Sequence, residues 1–588
     1  MSRDWRAVGT RAHQDGDLVA AEAAFTSAID DAETRAGAMR YELYAARSAV
    51  RHDSRQFGPA LDDADRCVFL KPSYGIGHFR MGQALEGLGR LSDALDAYKA
   101  GLIHEPDNGH LADASADLAK HLQARSPGAQ RDRSESDRYA KFLDWLRAGG
   151  AEISKVVLRE YDDEHRGVHT ACDVAPDEVF MSIPRHLMIT SEMAIQSAIG
   201  KAIIRSGVEI RSRHSFLAAY LLQERDRPPA SPSRWAPYLA VLPRRFDNIP
   251  INFSREELSY LKGSMAVDKI ENRIETLQSE YARIAKNVAQ FAQFSYKDFV
   301  WARCVVITRI FGVTIDGRKT EALVPLADFL NHRRPREQTV WMFDPQTSAF
   351  TITAVDAINA GFPVSDSYGR KCNSRFFTNY GFSLEDNEDN EAIVRLACDM
   401  ADPALTRKLE VLGEGSDAEV ERSFSVPAMI CSCPQTDELV SFLRLSCATD
   451  EELDEFAIHT AANVKRIGPI SCRNEIAALR MLKEACLKSL AAFETSLEED
   501  DEELASSDLT NNIRNAIVMR RGEKRVLHFF IEFVDDMVPL LSLPKSDMRW
   551  IFKSCQRREY AGTFDLYITS VVEPLVEKRD ESNADGPC

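Results

Sequence analysis

A chain of 588 residues, 44% of them hydrophobic, has apolar material for several buried cores, and length alone predicts about three or four domains. The formal net charge of −18 leaves no basic surplus to neutralise phosphates, which excludes nucleic acid as the bulk partner. No run of about 18 apolar residues appears, so no membrane span is expected, and the N-terminus MSRDWRAVGTRAHQDGD lacks the apolar centre of a secretory signal. The 12 cysteines are scattered along a long chain, as expected of reduced thiols in the cytosol or nucleus. Cys431 and Cys433 are the one close pair. With no second pair or histidine at ligand spacing they read as structural, and no metal site is expected.

Residues 1–123 repeat. Tyr41 aligned with Gly75 sets a period of 34 residues, which also superposes Ala60 on Ala94 and Pro72 on Pro106. An earlier copy carries Trp5, Gly9, Ala21, Phe25 and Ala28 at the same relative places, before a longer connection around Asp30 to Arg40. Small residues let paired helices approach closely, and aromatic residues fill the seam between units. This spacing resembles tetratricopeptide repeats, with a capping helix near Leu111 to Gln123. In repeats of that kind that grip chaperone tails, a clamp of Lys, Asn, Asn, Lys and Arg holds two carboxylates. The aligned positions here are Arg6, Thr10, Ala46, Ile76 and Arg80. Two positive charges remain and both amides are gone, so chaperone-tail binding is not expected; capture of a protein substrate or self-association is.

Residues 124–136, ARSPGAQRDRSES, read as a polar linker. Beyond it come the loop DDEHRGVHTACDV and the alternating DEVFMSIPRHLMIT, which suits a strand. Helical periodicity dominates residues 191–292. Within that stretch Trp235 and Tyr238 read as packing anchors, and Ser254 with Glu257 as a capping box. The helix YKDFVWARCVVITRIFGV leads into the densest stretch, Val324 to Phe382. There PLADFLNH ends in Asn331-His332, FTITAV alternates as a half-buried strand, and SDSYGRKCNSRFFTNYGF carries Tyr368-Gly369 and Tyr380-Gly381. The two glycines allow sharp turns and close approach of the backbone to a ligand.

Asn-His, then Tyr-Gly, then Tyr-Gly-Phe in this order resembles the catalytic half of a SET domain, of the branch typified by the Rubisco large-subunit lysine methyltransferase. The resemblance implies S-adenosylmethionine as methyl donor and a multidomain α+β protein. That protein would have a repeat solenoid (1–123), a linker (124–136), a SET β-fold (137–390) with a helical insertion (about 191–292), a C-terminal helical substrate-binding domain (391–577) and a disordered tail (578–588). It places Glu164 and Gly167 in the donor loop, with His165 where the family has its first glycine. It gives Arg309 the donor carboxylate, Asn331 and His332 further donor contacts, Tyr380 the ordering of the pocket and Phe382 a place near adenine. Tyr368 becomes the catalytic hydroxyl beside the reacting nitrogen. Many SET enzymes carry a zinc cluster after this segment; no such cysteines follow Phe382.

Histidine-methylating members of the branch have Asn and Trp where this chain has Phe311 and Ala327. Phenylalanine cannot hydrogen-bond an imidazole, and an apolar wall suits a lysine stem, so lysine in a protein substrate is the expected acceptor. Asp366 stands where the family has an Ile-like residue, either binding an incoming ammonium or facing solvent. The C-terminal helices, with Thr495 to Asp500 and Arg521-Gly522-Glu523-Lys524, resemble the family's substrate-binding domain, and the acidic run Glu498 to Glu503 reads as a solvated loop. Two rivals stand beside lysine methylation: histidine methylation, and a scaffold whose repeats carry the function while the SET pocket is degenerate.

Overall fold

The computed structural model describes residues 4–33, 40–87, 91–125, 133–160, 166–334, 337–415, 420–430, 434–454, 467–506, 509–545 and 561–584. Glu164, His165, Cys431 and Cys433 lie outside the described residues. The chain forms two compact units. One comprises Met1–Phe246 with Leu277–Gly369, the other Asp247–Thr276 with Arg370–Cys588.

In the first unit the repeats appear as antiparallel helix pairs, Trp5–Gln14 with Leu18–Glu33, Arg40–Asp53 with Phe57–Leu70, and Gly75–Gly87 with Leu91–His104, followed by Gly109–Arg125. The reason lies in a small residue sixteen positions before its partner. A Cβ on Gly9 would lie 3.1 Å from the Phe25 ring, and one on Gly82 would lie 2.2 Å from Tyr98. In the middle repeat Ser48 takes the small position and donates its hydroxyl to the Ala60 carbonyl at 2.7 Å. Of the two clamp cations, Arg6 is already paired with Glu42 at 2.6 Å, and Arg80 donates to Gln83 at 2.7 Å. A cavity of about 570 Å³ opens among the repeats, lined in part by His52, Asp53, Phe57, Phe79 and Tyr98.

Three small sheets follow. β1 (Val156–Glu160), β2 (Arg166–Thr170), β10 (Pro363–Asp366) and β7 (Asn331–His332) form one sheet in the order β1-β2-β10-β7. β3 (Val179–Pro184), β9 (Ala349–Ala354) and β8 (Thr339–Asp344) form a second, with β9 central. β4 (Ile189–Thr190), β6 (Arg318–Leu323) and β5 (Ile310–Ile315) form the third. The strand read as half-buried is β9, and it is buried along almost its whole length. Both faces of this strand are covered, so side chains of either parity leave water. Trp235 and Tyr238 are fully buried, as expected of anchors.

In the second unit, Ser254 and Glu257 make the expected capping box at the start of helix Arg255–Ser259. Phe253, Leu261, Ala266, Ile270, Phe377, Ala516 and Met519 share one core. The C-terminal region is not all helix. β11 (Glu391–Ala397) and β12 (Glu421–Pro427) pair antiparallel over seven residues each. Ala392, Val394 and Leu396 alternate inward there, a period-two signal passed over between longer helical stretches. The acidic run is likewise no solvated loop. It is helix Leu497–Leu504, capped by Ser496 and Glu499. Residues 578–584, the described part of the tail expected to be disordered, continue helix Glu573–Ala584.

Candidate functional site

The expected site residues of the first unit gather because a short parallel pairing overrides their distance in sequence. β7 pairs with β10 so that Asn331 faces Ser365 and His332 faces Asp366. The run before β7 turns sharply at Leu326, a buried residue held at φ 76°. A side chain in that region costs about 1–3 kcal/mol of backbone strain, which persists only where surrounding packing imposes it. The turn is followed by a 3-10 segment, Ala327–Phe329, that delivers Asp328 inward and Asn331-His332 onto the strand.

Tyr368, just beyond β10, is fixed three times. Its backbone N–H donates to His332 Nδ1 at 3.1 Å, its hydroxyl donates to the Leu330 carbonyl at 2.8 Å, and its ring stacks on the His332 imidazole with centroids 5.1 Å apart. The next residue, Gly369, has φ 85°, so the left-handed turn required there is open to glycine without strain. His332 therefore positions the tyrosine through its side chain, a role that family resemblance had not assigned. Asn331 donates its amide to the Arg166 carbonyl at 3.1 Å. Gly167, on β2, is held in register opposite Arg159.

Behind these residues lies a buried ionic group. Arg309 donates from Nη1 to the Asp328 carbonyl at 2.9 Å and to its carboxylate at 3.1 Å. The Tyr238 hydroxyl donates to the same carboxylate at 2.6 Å. Burial pushes the Asp328 carboxyl upward, and Arg309 and Tyr238 pull it back. Tyr238, itself fully buried, is held far above the usual phenol range by burial and by Asp328, so it serves as a donor. Arg166 adds a second guanidinium, its Nη1 donating to the Tyr139 hydroxyl at 3.0 Å. Arg166 Nη2, Arg309 Nε and Asp328 Oδ1 are buried with no protein partner among the described residues. Buried polar atoms are normally satisfied, so such a cluster is the signature of a site that takes a polar ligand. Two cations against one carboxylate fit a ligand bearing a negative group, as the α-carboxylate of S-adenosylmethionine is.

Phe311, one of the positions expected to meet the acceptor, stands among aromatic rings. Phe311 meets Trp341 edge-on at 5.3 Å and Phe350 at 5.0 Å, while Trp341 stacks on Phe350 at 5.4 Å. Ala327 is buried. Asp366 does not face solvent: it is 6% exposed, and the Ser367 N–H donates to its carboxylate at 2.8 Å. Burial pushes its carboxyl up to about 7, against stabilising hydrogen bonds from Ser367 and the Trp341 side chain.

Tyr380 and Phe382 belong to the second unit. Tyr380 ends helix Asn373–Tyr380, and Gly381 caps it in the left-handed conformation. The close approach at Gly381 is to Asn248, whose carbonyl would lie 2.5 Å from an added Cβ. Phe382 stacks on Phe376 at 5.1 Å, and Tyr380 tilts towards both rings.

Residues 399–527 match the family model described as Rubisco LSMT substrate-binding. The SET domain of LSMT bound to lysine and AdoHcy superposes with a TM-score of 0.58 at 21% identity, covering 73% of this chain and 98% of that one. The chain has the fold of the Rubisco LSMT SET domain. Rubisco LSMT bound to AdoMet has the same fold, with a TM-score of 0.55 at 22% identity over 73% of this chain and 99% of that one. Among curated relatives, the actin-histidine N-methyltransferase of Homo sapiens is 27% identical over 413 residues, 67% of this chain and 68% of its own length. That of Rattus norvegicus is 26% identical over 445 residues, 71% of this chain and 73% of its own. This SET-fold chain thus resembles protein methyltransferases over two thirds of its length.

Among the described residues, no helix is long and apolar enough to cross a membrane.

Proposed function

We propose that the chain is an S-adenosylmethionine-dependent protein N-methyltransferase whose reacting centre is built on Tyr368. The observation that carries this reading is the triple fixation of Tyr368 by His332, the Leu330 carbonyl and ring stacking. When bound, the donor supplies an electrophilic methyl on a sulfonium. A nucleophilic nitrogen must meet that methyl in line, and pre-arranged orientation is worth roughly 7–11 kcal/mol of barrier. Tyr368 would orient the acceptor nitrogen, Asn331 and Gly167 the donor's main contacts, and Arg309 its carboxylate. Glu164 would add the donor-loop contact that the family resemblance implies.

Lysine is the acceptor we favour, because Phe311, Trp341 and Phe350 form an aromatic wall with no hydrogen-bonding group on Phe311 to orient an imidazole. A lysine starts near pKa ~10.4 and must lose its proton before attack, which desolvation in an apolar channel promotes. Histidine is the second reading. The actin-histidine names of the relatives favour it, and so does Asp366, a buried carboxyl on the strand leading to Tyr368 that can accept an N–H. The repeat array would recruit or position the protein substrate. With Arg6 tied to Glu42, it is a poor clamp for a chaperone tail.

The test is methylation of cell extract by the purified chain with isotopically labelled donor, followed by hydrolysis and separation of methyl-lysine from methyl-histidine. Label in lysine that disappears with Tyr368→Phe supports the reading. Label only in histidine replaces lysine by the second reading. No label with either enzyme defeats both. Phe311→Asn with Ala327→Trp should lower lysine transfer, and an unaltered rate would remove these positions from acceptor choice.

A further inference from the structure

Arg166 is the charged group of the first unit that the catalytic reading leaves without a task. Its main chain is fixed by β2, where it stands opposite Glu160, and by the Asn331 amide on its carbonyl. Its side chain leads inward. The guanidinium carbon lies 4.2 Å from the centroid of the Phe329 ring, and that of Arg309 lies 5.3 Å from the same centroid. Two guanidiniums are thus gathered at one phenyl ring. Like charges so placed repel, and burial together with Arg309 pushes Arg166 down to about 10.

Among the described residues, the surrounding carboxylates do not resolve this excess. Asp328 is shared between Arg309 and the Tyr238 hydroxyl. Glu160, the cross-strand neighbour, lies 3.9 Å from Arg138. Arg138 in turn donates to the Tyr139 hydroxyl at 3.3 Å, so Tyr139 receives from both arginines. Among the described residues, Arg166 Nη2 and Arg309 Nε remain buried without a protein acceptor. A guanidinium binds a carboxylate through parallel N–H groups far better than it tolerates an unsatisfied interior position. The group that fits is a small carboxylate.

We propose that Arg166 is a second ligand for the donor's carboxylate, so that the amino-acid end of S-adenosylmethionine is held by two guanidiniums, Arg166 and Arg309, at the Phe329 ring. The inference rests on the proposed function, since it names the donor, and adds a residue that the resemblance did not supply. It also gives Asn331 a second duty. By holding the Arg166 carbonyl, the Asn331 amide links β7 to the strand that aims this guanidinium.

The experiment is calorimetric titration of the full chain and of Arg166→Met and Arg166→Lys with two compounds, S-adenosylmethionine and 5′-methylthioadenosine. The second keeps the nucleoside and thioether but lacks the amino-acid end. The expected result is that Arg166→Met weakens S-adenosylmethionine binding by about tenfold or more and leaves 5′-methylthioadenosine within twofold. Arg166→Lys, a point charge without the planar fork, should fall between. Equal weakening of both compounds in Arg166→Met would make Arg166 a structural residue and overturn the proposal. Unchanged binding of both would overturn it as well. A wild-type chain that binds neither compound would defeat the proposed function itself; a wild-type chain that binds both, with an unaltered methionine variant, defeats this inference alone.

Discussion

Two buried clusters of charge in this protein are built to opposite ends. In the second unit, Lys524 donates to the Asp500 carboxylate at 2.7 Å, to the Thr495 carbonyl at 2.6 Å and hydroxyl at 2.9 Å, and to the Ser496 carbonyl at 3.0 Å. Arg520 reaches Asp500 at 2.9 Å, Glu503 at 2.8 Å and the Tyr260 carbonyl at 2.8 Å. These groups use up one another's hydrogen bonds within the protein. In the first unit, Arg166, Arg309 and Asp328 leave two donors and one acceptor over among the described residues. The saturated cluster welds an acidic helix onto a basic one; the unsaturated one has binding capacity left. Burial of charge does not by itself mark a functional site, and incomplete pairing separates the two cases.

The sharpest way to break this comparison is Lys524→Met. It leaves Asp500 with Arg520 as its one remaining cation and takes the donor from the Thr495 and Ser496 carbonyls, and should destabilise the protein by about 3–5 kcal/mol, read as a shifted denaturant midpoint, with S-adenosylmethionine affinity retained in the folded protein. Lost affinity at unchanged stability would make the second cluster functional after all. Tyr368→Phe should do the reverse, lowering turnover roughly 10²–10³-fold, the scale of removing one pre-organised hydrogen-bonding group from a reacting centre. Its donor titration and melting curve should match the wild type. Near-normal turnover would take the reaction away from Tyr368.

A pH series sharpens the comparison further. The Asp366 carboxyl is raised to about 7 by burial, so the folded chain holds a proton that the unfolded chain, with a carboxyl near ~3.9, has released. The contribution to stability is complete below about pH 4 and is lost as pH rises towards about 7. Asp366→Asn should therefore gain on the wild type across that window and run parallel to it above. Glu523, pushed up to about 7 by burial against the pull of Ser264 and Lys269, predicts the same behaviour for Glu523→Gln in the second unit. Curves parallel throughout would mean that neither carboxyl holds its proton in the fold. Last, Gly82→Ala should lower the melting temperature through overpacking against Tyr98, by about 1–3 kcal/mol, without altering donor affinity. An unchanged melting curve would show that the helix pair opens to admit the methyl.

Much of the fold was legible because its signals are local. The small-to-aromatic spacing of Gly9 with Phe25 and Gly82 with Tyr98 is a property of two adjacent helices. The capping box at Ser254 and the left-handed turns at Gly369 and Gly381 are written within a few residues. The acidic run misled because its charges suit water equally well. Only packing against Arg520, Arg521 and Lys524 turned Asp500, Asp501 and Glu503 into partners of a helix. The β11–β12 pairing was not legible because its two strands are separated by helix Leu405–Leu412. Arg166 gave no signal at all: one arginine in a loop-like stretch is ordinary until it meets Phe329.

The sequence by itself determined the repeat array, the resemblance to SET proteins and the choice of the candidate tyrosine, since periodicity and ordered motifs need no third dimension. The tertiary structure decided what those residues do. It set His332 under Tyr368, gathered Arg166 and Arg309 at one ring, and buried Asp366. Each of these depends on strand pairing between segments far apart in the chain, as in β7 with β10, and on which polar atoms packing leaves without a partner.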